Sequence, residues 1–92
     1  MEKFQVSFNW EAAAEFEELL GNTAVGGLAK RYLKELHDFP PEAWGDIHRS
    51  ENQIYFKSDN HVLFDIQGKV LSDEQGFIYG VKITRFRLRR GI

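Results

Sequence analysis

The spacing of apolar residues changes at Pro40-Pro41, and this change constrains the fold more than any other feature of the sequence. Between a short opening strand and the prolines, apolar residues recur every three or four positions, which is the pattern of helices with one buried face. After the prolines, apolar and polar residues alternate, as they do in half-buried strands. The order of these patterns predicts an α+β fold, with helices packed on a sheet.

One strand and two helices are predicted before the prolines. Alternation over 4–8 predicts the strand, and Asn9 suits the N-cap of a helix over 10–20. A second helix is predicted over roughly 24–37, because its apolar residues form one stripe. It ends before Pro40-Pro41, since a residue that precedes proline is pushed out of the helical region.

Three antiparallel strands are predicted after the prolines. They cover 54–57, 61–66 with an extension over 69–71, and 77–88. In the last strand the apolar side changes between Ile83 and Phe86, which predicts either a bulge or a strand that leaves its sheet there. The predicted order is β-α-α-β-β-β, with two helices packed on one face of an antiparallel sheet.

Length and composition exclude several classes of protein. A chain of 92 residues is predicted to form a single domain over 1–92, because two smaller cores would need disulfides or metals. The chain has no cysteine, which excludes disulfides, thiolate nucleophiles and cysteine-bound metals. No apolar run approaches the about 18 residues of a membrane span. Met1-Glu2-Lys3 begins no signal peptide, so we expect a cytoplasmic protein with no membrane contact.

No motif predicts a metal or a cofactor. The glycine spacing over 21–26 matches a phosphate-binding loop, but the Lys and Ser or Thr of such a loop do not follow it. A zinc site needs three or four converging ligands. The histidines are His37, His48 and His61, and no two of them are four residues apart.

Two features suit nucleic-acid binding, and each has a structural alternative. Residues 1–46 carry nine acids and four bases, whereas residues 47–92 carry eight bases and five acids. This asymmetry indicates either a nucleic-acid surface on one side of the molecule or a solvated strand end. Phe77 and Tyr79 share one face of the last strand, either to stack on bases or to pack in the core.

A basic cleft is predicted on one face of the sheet. Alternation places Tyr55, Lys57 and His61 on this face, and the last strand brings Arg85 and Arg87 beside them. Lysine and arginine can offset negative charge on a phosphodiester, and histidine can move a proton near neutral pH. The alternative is an exposed sheet edge with scattered bases.

The whole chain resembles the RelE/ParE superfamily of small bacterial toxins. The resemblance is carried by the opening strand and Ala/Glu-rich helix, the Leu-rich segment 33–41 that ends at Pro40-Pro41, the hairpin over 53–66 and the final strand over 80–85. Members of the ribonuclease branch cut mRNA on the ribosome by making the 2′-hydroxyl attack the adjacent phosphate. The resemblance therefore implies an endoribonuclease that inhibits translation and has an antitoxin as its protein partner.

The family resemblance implies roles for three basic residues of this chain. Lys57 corresponds to a base of the second strand, His61 stands where an arginine opens the third strand, and Arg85 corresponds to a base late in the last strand. The resemblance implies that these three are catalytic. Lys57 and Arg85 would hold the phosphate, and His61 would be the general acid or base. Arg87 is also expected to hold phosphate. The cluster of arginines near the end of the sequence predicts Arg87, Arg89 and Arg90 as RNA-binding residues.

Two other functions stay open at this point. The chain departs from the family because His61 replaces an arginine, no Tyr or His follows Arg85, and the net charge is −2. These departures favour a non-catalytic protein-interaction module of the same fold. A third hypothesis is an RNA-binding domain that uses Phe77, Tyr79 and the arginine cluster over 85–90 and does not cut RNA.

Overall fold

The helices and strands follow the predicted order, with one additional strand. The computed structural model describes residues 4–43, 45–51, 53–58 and 63–89. In chain order the elements are β1 (Gln5–Phe8), α1 (Trp10–Leu20), α2 (Gly26–Asp38), a short 3-10 turn (Pro41–Ala43), β2 (Asp46–Ser50), β3 (Gln53–Lys57), β4 (Phe64–Ser72) and β5 (Ile78–Leu88). The predicted α+β class is confirmed.

The five strands form a mixed sheet in the order β1-β5-β4-β3-β2. Strands β2 to β5 are an antiparallel meander, whereas β1 lies parallel to β5 at one edge of the sheet. The sequence led us to expect an antiparallel sheet throughout, and β1 corrects that expectation. Parallel neighbours need a long crossover connection, and α1 and α2 lie in the chain between β1 and the meander.

Strand β2 is the element that the sequence did not predict. Four of its five residues are polar and exposed, and Ile47 is its one partly buried apolar residue. It pairs with β3 from Asp46 opposite Lys57 to Ser50 opposite Gln53. Glu51 follows the strand with a φ of 54°, which tight hairpin turns require. Because β2 has only one partly buried apolar residue, its extended conformation depends on pairing with β3.

The core lies between the two helices and one face of the sheet. The buried apolar residues from the helices are Ala12, Phe16, Leu19, Ala29 and Leu36, and those from the sheet are Phe56, Phe64, Ile66, Val70, Val81, Ile83 and Phe86. Aromatic rings form its centre, where Phe86 contacts Phe8, Phe16 and Phe64. Among the described residues, no helix is long and apolar enough to cross a membrane.

A bulge in β5 changes which side chains face the core. Gln67 lies opposite Arg85 and Gly68 lies opposite Ile83, so Thr84 is an extra residue on β5. The extra residue lets both Ile83 and Phe86 face the helices, although they are three positions apart. Of the two alternatives predicted between Ile83 and Phe86, the structure has the bulge, and β5 stays in the sheet.

Replacing Asn9 with alanine is expected to lower the free energy of unfolding by about 1 kcal/mol. Asn9 is the N-cap of α1, and its side-chain oxygen accepts a hydrogen bond from the backbone N–H of Ala12 at 2.8 Å. Urea denaturation followed by circular dichroism measures the change. An Asn9→Asp variant keeps an oxygen acceptor and should stay close to wild type. Equal losses in the two variants would contradict the capping role.

Candidate functional site on the open sheet face

The sheet has an open face, which is the side turned away from α1 and α2. No helix of the described residues covers it, because both helices pack on the other side. By strand alternation and register, the polar side chains on this face come from all four strands of the meander. They are Asp46, His48 and Ser50 of β2, Gln53, Tyr55 and Lys57 of β3, Asp65, Gln67 and Lys69 of β4, and Lys82, Thr84, Arg85 and Arg87 of β5. Bases outnumber acids there, so the face suits an anionic ligand.

A groove of about 440 Å³ lies in the middle of this face. Each strand of the meander contributes to it. The lining side chains that carry polar atoms are His48, Tyr55, Lys57, Gln67 and Thr84, and Phe56 and Gly68 also line it. We call it the open-face groove. Its location places an imidazole, an ammonium group, an amide and two hydroxyl groups around one volume.

The strand register explains why these side chains meet. His48 lies opposite Tyr55, and Tyr55 and Lys57 are two residues apart on the same face of β3. Lys57 in turn lies opposite Gln67. The hydroxyl of Tyr55 donates a hydrogen bond to the Gln53 side chain, which holds the ring against the strand.

Gly68 permits the close approach of β4 and β5 beside the groove. A Cβ atom at this position would lie 2.6 Å from the backbone oxygen of Lys82 and 2.9 Å from a methyl group of Val81. A side chain there would have to push the two strands apart. The glycine therefore permits the close pairing of β4 with β5 at this position.

The structure brings two of the three predicted catalytic residues to the same region. Lys57 lines the open-face groove. Arg85 lies directly opposite Gln67 on the neighbouring strand. Lys57 and Arg85 therefore flank Gln67 from the two sides, roughly 10 Å apart across β4. His61 lies outside the described residues, and the catalytic roles of all three stay predictions.

The predicted RNA-binding arginines differ in their surroundings. The Nε of Arg87 donates to Asp65 Oδ2 at 3.3 Å on the open face, where half of the arginine side chain is exposed. Arg89 donates to the carbonyl oxygens of Ser58 at 2.8 Å and Phe64 at 3.3 Å. Arg89 thus connects the end of β3 to the start of β4, and these hydrogen bonds give it a structural role. Arg90 lies outside the described residues.

Phe77 and Tyr79 do not belong to the core. Phe77 is 68% exposed and precedes β5, and Tyr79 is 43% exposed. The register pairs Ser72 with Ile78 and Leu71 with Gly80, so Tyr79 is a second extra residue on β5. Both aromatics are exposed, but five positions of β5 separate Tyr79 from Thr84 in the open-face groove. They are therefore separate from the groove.

His48 is the groove residue that sequence reasoning missed. The only available signal was the alternation of Asp46, Ile47 and His48, which is too short to predict a strand. Strand β2 turns the imidazole toward the same face as Tyr55 and Lys57. The arrangement can hold a phosphate with its cations and transfer a proton with its imidazole. Within the described parts of the chain, no three His, Asp or Glu side chains are grouped to hold a metal ion.

No protein-family model, no curated protein and no solved structure matches this chain.

Proposed function

We propose that this chain is an endoribonuclease that inhibits translation by cutting mRNA, and that the open-face groove is its active site. The observation that carries the proposal is the meeting of His48, Tyr55 and Lys57 in one groove, with Arg85 beside it. A phosphodiester needs cations to offset its charge and a group that moves protons, and this groove has both. The RelE/ParE resemblance supports the same chemistry and adds the ribosome as the place of cleavage.

The proposed reaction uses the RNA's own 2′-hydroxyl as nucleophile. His48 accepts the proton of this hydroxyl while its oxygen forms a bond to the adjacent phosphorus. The bond from phosphorus to the 5′ oxygen breaks, and Lys57 donates a proton to that leaving oxygen. Arg85 offsets the negative charge on the non-bridging oxygens. The products are a 2′,3′-cyclic phosphate and a 5′-hydroxyl end.

Tightly induced expression in a bacterial host tests this proposal. We expect wild type to arrest growth and to leave mRNA fragments with 5′-hydroxyl ends. A Lys57→Ala/Arg85→Ala variant should lose both effects while keeping its melting temperature within a few degrees. An Arg31→Ala/Arg49→Ala variant also removes two cations, but Arg31 lies on α2 and Arg49 alternates with His48 on β2. This control variant should arrest growth and cut mRNA as wild type does.

Two results would contradict the proposal. Full toxicity of the Lys57→Ala/Arg85→Ala variant would show that the groove is not the active site. Normal growth and intact mRNA with wild type would instead favour the second candidate function, a non-catalytic protein-interaction module.

A groove on the helical side favours this second candidate. The helix groove, which lies between α1 and α2, has a volume of about 590 Å³. Its lining residues are Phe16, Leu20, Leu33, Lys30, Lys34 and His37. An apolar floor with basic residues beside it suits an amphipathic segment that carries acidic side chains. In the ribonuclease proposal an antitoxin would occupy this groove, and in the alternative a regulated protein would occupy it.

A further inference from the structure

Two lysines face each other on the open face without a carboxylate beside them. Lys69 of β4 lies directly opposite Lys82 of β5, and both side chains are exposed. Like charges in directly opposite positions destabilise a sheet. Among the described residues, no Asp or Glu forms an ion pair with either lysine.

No neighbour of the pair on the open face carries a negative charge. Tyr55 lies opposite Lys69 on one side, and Ser7 of β1 lies opposite Lys82 on the other. Along the strands toward the groove, the next residues on the same face are Gln67 of β4 and Arg85 of β5, and Arg85 adds a third positive charge. The repulsion between the lysines is thus not offset within the sheet, which is the condition for binding an external anion.

The Lys69–Lys82 pair lies next to the open-face groove along β4. Lys69 and Gln67 are two residues apart on the same face of β4, which corresponds to about 7 Å. One nucleotide of an extended RNA strand can span that distance. Tyr55 lies between His48 of the groove and Lys69, and its ring is 38% exposed.

We infer that Lys69 and Lys82 bind a backbone phosphate next to the one that is cut, so that single-stranded RNA runs along β4 from the open-face groove to the lysine pair. This inference rests on the proposed function, since it extends the substrate beyond the cleaved linkage. The Tyr55 ring serves as the platform on which the base between the two phosphates stacks. An RNA duplex does not fit this site, because its bases are stacked on each other and none is free to stack on Tyr55.

Fluorescence anisotropy with an uncleavable ligand tests the inference. The probe is an eight-nucleotide 2′-O-methyl RNA, titrated at several salt concentrations. We expect a Lys69→Gln/Lys82→Gln variant to bind about tenfold more weakly. The slope of log affinity against log salt should fall in magnitude by about 0.7, the value for one lost phosphate contact on a single strand. An Arg31→Gln/Arg49→Gln variant should keep the wild-type slope.

A dinucleotide substrate separates the lysine pair from the groove. It holds one phosphate, so we expect wild type and Lys69→Gln/Lys82→Gln to cleave it at equal rates. The melting temperature of the variant should equal or exceed that of wild type, because the repulsion is removed.

The outcomes distinguish this inference from the proposed function. An unchanged slope and affinity for the eight-nucleotide probe would overturn the lysine site, even if wild type cuts RNA. Failure of wild type to cut any RNA would overturn the ribonuclease, even if binding of the probe depends on the lysines. Equal loss of binding in the Arg31→Gln/Arg49→Gln variant would also overturn the lysine site, since net charge alone would then explain the effect.

Discussion

Replacing His48 with glutamine is expected to lower the rate of RNA cleavage by about 10²–10⁴-fold, which is the usual contribution of a general acid or base. Glutamine keeps the size and polarity of the side chain but cannot exchange a proton near neutral pH. Binding of the uncleavable 2′-O-methyl RNA should change less than threefold, because Lys57 and Arg85 remain. Single-turnover cleavage of a labelled oligonucleotide measures the first quantity, and anisotropy measures the second.

Two controls separate loss of the imidazole from damage to β2. Arg49 neighbours His48 on β2 but faces the other side of the sheet, so Arg49→Gln should cleave RNA at the wild-type rate. In a His48→Ala variant, added imidazole should restore part of the activity, since the open-face groove is accessible to solvent. Rescue of this kind is not expected of a residue that only supports the fold.

The cleavage rates of His48→Gln and His61→Gln decide which histidine is the general acid or base. His61 is the general acid or base implied by the family resemblance, and His48 is the one that lines the groove. Full activity of His48→Gln together with loss of activity in His61→Gln would contradict the groove assignment and return the role to His61. Loss in His48→Gln alone would support the groove.

The predicted elements are those whose own residues show a helical or alternating apolar pattern. Helix α1 begins and ends where the sequence predicted, because its apolar stripe, Asn9 cap and terminal glycine agree. The prediction of 77–88 covers β5, and the change of apolar side indicated an irregularity between Ile83 and Phe86, where the structure has a bulge at Thr84. In both elements, residues near in sequence determine the conformation.

The missed features depend on contacts between distant residues. Ile47 alone could not reveal β2, because the strand forms only when β3 supplies its hydrogen bonds. The parallel pairing of Val6 with Val81 joins segments about 75 positions apart, and nothing local encodes that direction. The open face was predicted to carry Lys57 and Arg85, since period-two alternation places them. His48 was missing from that prediction because its strand was missing.

The second large effect is expected from Phe86→Ala, which should lower the free energy of unfolding by about 3–5 kcal/mol. Phe86 is fully buried, and its ring centroid lies 5.0 Å from that of Phe16 and 5.3 Å from that of Phe64. Its backbone N–H donates to Glu15 Oε1 at 3.0 Å, which connects β5 to α1 beyond the bulge. A domain of this length is stable by only about 5–14 kcal/mol, so alanine removes a large share of the total.

Urea denaturation of two matched phenylalanine variants tests this effect. Phe77→Ala removes the same side chain from an exposed position, and its free energy of unfolding should stay within about 0.5 kcal/mol of wild type. The transition midpoint of Phe86→Ala should fall sharply with little change in slope, because the surface exposed on unfolding is nearly the same. Similar midpoints for the two variants would contradict the placement of Phe86 at the centre of the core. A Phe86→Leu variant that remains folded should keep cutting RNA, because Phe86 faces the helices and the open-face groove lies on the other side of β5.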